Sequence, residues 1–229
     1  MALIYQNPNG KISGRLGPLY ARIVKGRNIF AIMPVPGTRT DIDITTDKYL
    51  MFAVAVKFCA ALSLYPKLKA LNESLRGRFF SGYHALISKN IKLVQPHVPC
   101  DANSIVVSGF GFTMSGINVT ETACTATVPA LNGFLELPAD AVNVRFLGAI
   151  VYSDPIEPEK DPPFRVTGLQ KLVAAFNFIS IYNLSVALSD FQKDLASKYR
   201  VKTVFLVSVL ESATETVLTN SISVSAVLL

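Results

Sequence analysis

Leu184-Ser185-Val186-Ala187-Leu188 puts large apolar residues at even positions and small or polar ones at odd positions. A period of two turns one side of an extended chain inward and the other outward, so the stretch reads as a half-buried strand. Ser221-Ile222-Ser223-Val224-Ser225-Ala226-Val227 repeats the pattern, and Phe176-Asn177-Phe178 begins it. Working outward from these, strands are expected over 104–108, 123–128, 133–137, 142–152, 174–188, 201–210 and 221–229. Turn-rich segments separate them. Some seven short strands at this spacing suggest an antiparallel β-sandwich over 102–229, immunoglobulin-like or jelly-roll-like. The chain has no Trp, so the Cys–Trp–Cys core of true immunoglobulin domains is missing. Ser189 to Tyr199 reads as a short helix between strands. Asp154-Pro155-Ile156-Glu157-Pro158-Glu159-Lys160-Asp161-Pro162-Pro163 reads as an acidic, Pro-rich surface loop.

Upstream the period changes. Gln95-Pro96-His97-Val98-Pro99-Cys100-Asp101 is a loop and the best boundary. Before it, residues 45–95 read as a helical segment. Thr45 or Thr46 caps the start, with Asp47 in the first turn. Leu50 to Leu62 is apolar almost all round, as in a helix buried on most faces. Pro66 opens a second helix carrying Leu68, Leu71 and Leu75, which Gly77 stops. A third runs from Ser81 to Lys92. The longest apolar stretch, Tyr49 to Leu64, is broken by Lys57 and is too short to span a bilayer.

Residues 1–44 form a third region, a basic Gly-rich arm or hairpin. Leu19–Val24 and Asn28–Met33 are expected to pair as strands across Lys25-Gly26-Arg27. Lys11, Arg15, Arg22, Lys25, Arg27 and Arg39 make every charge before Asp41 positive. The chain has 22 basic and 16 acidic residues, a net of +6, so the whole excess lies in the first forty residues. The fold class is therefore α+β: a basic extended arm, a helical segment and an antiparallel β-sandwich. Those six residues are the candidate contacts to phosphate or a partner. Gly10, Gly14, Gly17 and Gly26 would let the arm bend. A solvated basic face on an ordinary hairpin is the competing reading.

Neither GxGxxG nor GxxxxGK[ST] occurs, so no phosphate-cradling loop is expected. The N-terminus lacks the pattern of a secretory signal. Cys59, Cys100 and Cys124 share no CxxC spacing and suit buried, reduced thiols. Asn72, Asn118 and Asn183 open N-x-Ser/Thr triplets, read as chance matches. His84 and His97 have no acidic or thiol partner at ligand spacing, so no metal or cofactor is expected. No G-x-S-x-G elbow marks a nucleophile. Cys100 after His97 is the least improbable Cys/His pair, and the acidic residues of 154–161 are a carboxylate pair by count alone. The expectation is a protein that is not an enzyme and has no small-molecule substrate.

Asn9-Gly10-Lys11-Ile12-Ser13-Gly14-Arg15-Leu16-Gly17, with Lys25-Gly26-Arg27-Asn28 after it, resembles the opening of an uncharacterised family, domain of unknown function 6266, found mainly in Bacteroidetes. The apolar helix of 52–64 and the closing strand of 220–224 are similar too. The chain lacks the aromatic, often Trp, that precedes Lys25-Gly26 in that family, and 155–170 differ. The resemblance implies a helical first part and a β-sandwich second part, and carries no activity.

These features suggest a structural or assembly protein, most concretely a capsid, vertex or capsid-associated component of a bacterial virus, in the virion or the host cytoplasm. It would form homo-oligomers or join other structural subunits, and its arm would touch neighbours, genome or lipid headgroups. Two alternatives stand beside it. One is a nucleic-acid-binding protein, although Tyr20 and Phe30 are the sole aromatics in the stretch 9–37. The other is a cell-surface adhesion or carbohydrate-binding module, by analogy with other sandwich folds.

Overall fold

A computed structural model describes residues 2–4, 14–16, 19–24, 27–32 and 42–229. The chain divides into two compact units, Met1–Asp43 and Ile44–Leu229. The mixture is α+β and mostly strand, with antiparallel sheets.

In the first unit, β1 (Ala2–Ile4), β2 (Gly14–Leu16), β3 (Leu19–Val24) and β4 (Arg27–Ile32) form one sheet in the order β1-β4-β3-β2. The β3–β4 hairpin follows the expected pairing and closes on Val24↔Arg27. β1 and β2 flank it, so the stretch read as an arm holds two strands more than its pattern suggested. Short three-residue strands are below the reach of a period-two signal.

The second unit opens with α1 (Ile42–Leu62), α2 (Pro66–Ser74) and α3 (Gly82–Asn90). Pro66 starts α2, where its missing N–H is harmless, and Ser81 caps α3 by accepting from the His84 N–H. Two expectations need correction. The first helix begins at Ile42, before the caps expected at Thr45 or Thr46, whose side chains lie outside the described residues. It is also buried along a stripe rather than on most faces: Val54, Ala55, Phe58, Cys59 and Leu62 are buried, while Tyr49 and Phe52 are exposed. Among the described residues no single helix is long and apolar enough to cross a membrane.

The strands follow: β5 (Ser115–Val119), β6 (Ala123–Val128), β7 (Asn143–Pro155), β8 (Phe164–Val173), β9 (Tyr182–Ala187), then α4 (Asp190–Lys198), β10 (Tyr199–Glu211), β11 (Val217–Asn220) and β12 (Val224–Leu228). β11-β10-β7-β8 form the larger sheet, with β12 also beside β10, and β5-β6-β9 the smaller.

β7 and β10 are buried on both faces, which explains their unbroken apolar runs. Val144, Phe146, Ile150, Tyr152, Val204 and Leu206 face a core shared with Cys124, Ala126, Val128 and Leu184 of the smaller sheet. Leu147, Ala149, Val151, Phe205, Val207 and Val209 face the helices, packing with Phe58, Leu62, Leu68, Leu71 and Leu86. Helices and strands thus share the larger sheet. Close backbone approaches lock these layers. A Cβ on Gly168 of β8 would stand 2.4 Å from the Tyr65 ring, and one on Gly109 would stand 2.2 Å from the Ser221 carbonyl oxygen.

The expected strands at 104–108 and 133–137 are absent, and only 182–187 of the expected 174–188 is strand. Residues 131–133 instead make a short 3-10 turn. Segment 104–107 has its backbone groups taken largely by helix side chains rather than by a ladder, and the Ser108 carbonyl accepts from Asn220 Nδ2 of β11. Asn72 Nδ2 donates to the Ile105 carbonyl (2.9 Å) and Asn72 Oδ1 accepts from Val107 N–H (3.0 Å). Asn90 Nδ2 donates to the Ser104 carbonyl, while Asn90 Oδ1 accepts from Ser104 N–H and Asn103 Nδ2. Lys89 Nζ donates to the Val106 and Val107 carbonyls. These bonds satisfy a buried segment that no ladder reaches.

Candidate functional site

Two features gather chemistry-bearing residues, one in each unit.

In the first unit, antiparallel partners share a face and neighbours along a strand alternate. Arg15 pairs with Tyr20, Arg22 with Ile29 and Val24 with Arg27. Tyr20, Arg22 and Val24 lie at alternate positions of β3, so Arg15, Arg22 and Arg27 hold register positions on one face. The positions of Leu16, Leu19, Ala21, Ile23 and Phe30 are on the other. Arg22 is exposed and Ala21 is buried. Gly14 opens β2. Lys11, Lys25, Arg39, Gly10, Gly17 and Gly26 lie outside the described residues.

In the second unit, a cleft of about 570 Å³ opens at one end of the larger sheet. Its floor is strand: Ser153, Val201, Thr203 and Val227. Ser153 pairs with Val201 and Thr203 with Val227, so all four share the face that further along carries the helices. One wall is the loop 95–101. Ser225 Oγ holds it by donating to the Asp101 carbonyl (2.7 Å), and Asn103 Oδ1 holds it by accepting from Cys100 N–H. The other wall is the Pro-rich loop after β7. Tyr199 OH donates to the Pro162 carbonyl (2.9 Å), and Ile156 N–H donates to the Lys198 carbonyl. Asp101, Asp154 and Asp161 line the cleft, and neither Lys nor Arg does. Asp154 adopts φ 56°, a left-handed conformation that Asp tolerates better than most residues.

His97 and Cys100 both line this cleft. The Cys100 thiol donates to the Leu93 carbonyl at 3.0 Å. His84 stands apart, with Nδ1 2.7 Å from the Ser81 hydroxyl at the start of α3. Among the described residues no group of three His, Cys, Asp or Glu side chains is placed to hold a metal ion. Asn72, read as a chance glycosylation triplet, is buried and bound to the backbone.

Burial pushes the Cys59 thiol up to about 12 and the Cys124 thiol up to about 11. Neither is a nucleophile near neutrality. A disulfide-exchange reagent at about pH 8 should therefore modify Cys100 fast, and Cys59 and Cys124 only as the chain unfolds. Three fast thiols would contradict this packing. The sign on stability follows. Both thiols are harder to ionise folded than unfolded, so they favour folding below the unfolded value, and that contribution falls as pH climbs above about 9.

Sequence reasoning noticed the acidic loop and the His97–Cys100 segment but not that they face one another. The floor hydroxyls gave no signal, because Thr203 sits in a strand read as apolar and Ser153 falls just past the end of the one expected over 142–152.

No family model, curated protein or solved structure matches the chain.

Proposed function

We propose that the chain is a non-enzymatic structural or assembly protein, in its most concrete form a virion component of a bacterial virus. It would dock through the cationic face of its N-terminal sheet. The observation that carries this reading is the register that places Arg15, Arg22 and Arg27 on one face. Three arginine positions on one face of a sheet concentrate positive charge there, and Arg suits bidentate contact with carboxylate or phosphate. The second unit, taken by itself, suits a structural body. Its two sheets share one core, which supports a β-sandwich of immunoglobulin-like or jelly-roll-like kind, with helices on the far side of the larger sheet. Membership in the uncharacterised family named above is part of the same proposal and rests on the Gly10-to-Gly17 pattern and Lys25-Gly26-Arg27.

Sedimentation of the full chain over a range of concentrations tests the reading. A species heavier than a monomer, growing with concentration, is expected. A monomer throughout counts against it. A nucleic-acid-binding reading is favoured by Tyr20, whose position lies between those of Arg15 and Arg22 on the same face. If three arginines neutralise three phosphates, log K should fall with log salt at a slope of about −3 on duplex DNA. A salt-indifferent constant would remove that reading.

A further inference from the structure

We propose that the cleft between the loop 95–101 and the loop after β7 binds an ammonium group carried on an apolar stem. The inference concerns the second unit and stands independently of the assembly reading.

The argument starts at the floor. Ser153 is 6% exposed and Thr203 is 3% exposed, and both line the cleft. Among the described residues neither hydroxyl has a hydrogen-bond partner. Neither oxygen is sealed off from the cleft, so both stay open to a donor on a guest. Both oxygens can accept, and an ammonium group offers three donors.

Charge points the same way. Asp101, Asp154 and Asp161 ring the cleft with carboxylates, and neither Lys nor Arg lines it. Arg200 approaches Asp154 at 3.4 Å from outside the lining, and nearby Lys198 is held by Asp194 at 2.7 Å. An anionic guest would be repelled, while a cation gains from the carboxylates, least from Asp154, which Arg200 already meets.

Beside Gln95 and His97, most of the remaining lining is apolar. Val201 and Val227 floor the cleft, and Pro99, Pro155 and Pro158 wall it. Prolines hold such walls at little entropic cost. A stem of several methylenes would bury itself there while its ammonium group reaches the hydroxyls. The volume of about 570 Å³ falls among ordinary ligand sites.

The chemistry has two sources, a free aliphatic amine or a lysine side chain in a peptide. The test titrates the full chain by calorimetry with n-hexylamine and with a capped Pro-Lys-Pro tripeptide. n-Hexanol and hexanoate serve as neutral and anionic counterparts. Losing charge-assisted hydrogen bonds should leave the alcohol and the acid at least about tenfold weaker than the amine. The double variant Asp154→Asn/Asp161→Asn, at an exposed and a half-buried position outside the core, should weaken the amine by a similar factor. Thr203→Val keeps shape and removes one hydroxyl, and should weaken the amine without changing the order of the three probes. Should Thr203→Val fail to fold by circular dichroism, Ser153→Ala makes the same test. A tripeptide that binds more tightly than hexylamine identifies a peptide as the source; the reverse identifies a free amine. Equal binding of amine and alcohol, no binding of either cation, or an affinity unmoved by the double Asn variant would each overturn the proposal.

Discussion

Replacing Asn90 by Ala should lower the unfolding free energy by about 4 kcal/mol, since each orphaned buried polar group costs about 1–3 kcal/mol. Asn90 is fully buried on α3. Its amide bonds both the N–H and the carbonyl of Ser104 and accepts from the Asn103 side chain. Alanine leaves three polar groups in a dry interior. Asn90→Asp should fare little better, because a carboxylate cannot donate to the Ser104 carbonyl and would be buried besides. Asn72→Ala strands two groups of the same segment, the Ile105 carbonyl and the Val107 N–H, and should cost about 3 kcal/mol. The two losses should add to less than their sum, because both variants free one segment. Asn118→Ala, whose amide bonds only the adjacent Val119 N–H, is the exposed control and should stay within about 0.5 kcal/mol. Urea titration measures all four. A loss below about 1 kcal/mol for Asn90→Ala would mean that 103–107 is held by something other than these amides.

The second large effect is at the end of β7 and β10. Arg145 Nε donates to Glu211 Oε1 at 2.7 Å, and the two side chains are 5% and 2% exposed. The same guanidinium reaches half-exposed Glu215 at 2.5 Å, and Lys67 reaches Glu215 at 3.4 Å. The hydrogen bond to Glu211 raises the Arg145 pKa further, against the opposing effect of burial. Glu211→Ala leaves a buried cation with one partial partner, and should cost about 3 kcal/mol, the low end for a broken buried pair. Glu215→Ala, at the wet end of the chain of charges, should cost under about 1 kcal/mol. The double replacement Arg145→Met/Glu211→Leu should recover most of the loss, since removing both charges removes the desolvation penalty as well. Equal losses for Glu211→Ala and Glu215→Ala would show that burial does not set the strength of this pair.

How much of this was legible in the chain varied with the physics behind each element. β6 and the core of β9 were readable because one face of each is buried and the other is not, so Cys124, Ala126 and Val128 alternate with Thr125 and Thr127. β7 and β10 were readable as long apolar runs, since helices and a second sheet cover their two faces. β8 was missed. It lies at the sheet edge, with Thr167 and Leu169 its buried residues, and Gly168 between them. In segment 104–108, Ile105, Val106 and Val107 suit a strand, so the pattern alone points to one. Its backbone is satisfied by Asn72 and Asn90, which are 33 and 14 residues away from their carbonyl partners. A sequence shows an asparagine but not what it bonds.

The candidate sites divide in the same way. The concentration of positive charge before Asp41 is a count, so the sequence displays it. Its arrangement is a matter of register, and the placement of Arg15 on the face of Arg22 depends on the pairing of β2, which three residues could not announce. The cleft joins residues more than fifty positions apart, and its two floor hydroxyls look like ordinary interruptions of apolar strands.

The measurement that tests the assembly reading most directly is the mass of the full chain by multi-angle light scattering. It would compare the natural sequence with the triple variant Arg15→Glu/Arg22→Glu/Arg27→Glu, each at low and at high salt. Salt shortens the reach of exposed charges to about 8 Å near physiological strength and to about 3 Å at molar strength. A species larger than the monomer, shrinking both on charge reversal and at high salt, is the predicted result. A monomer in every condition, or a large species indifferent to both changes, would contradict it.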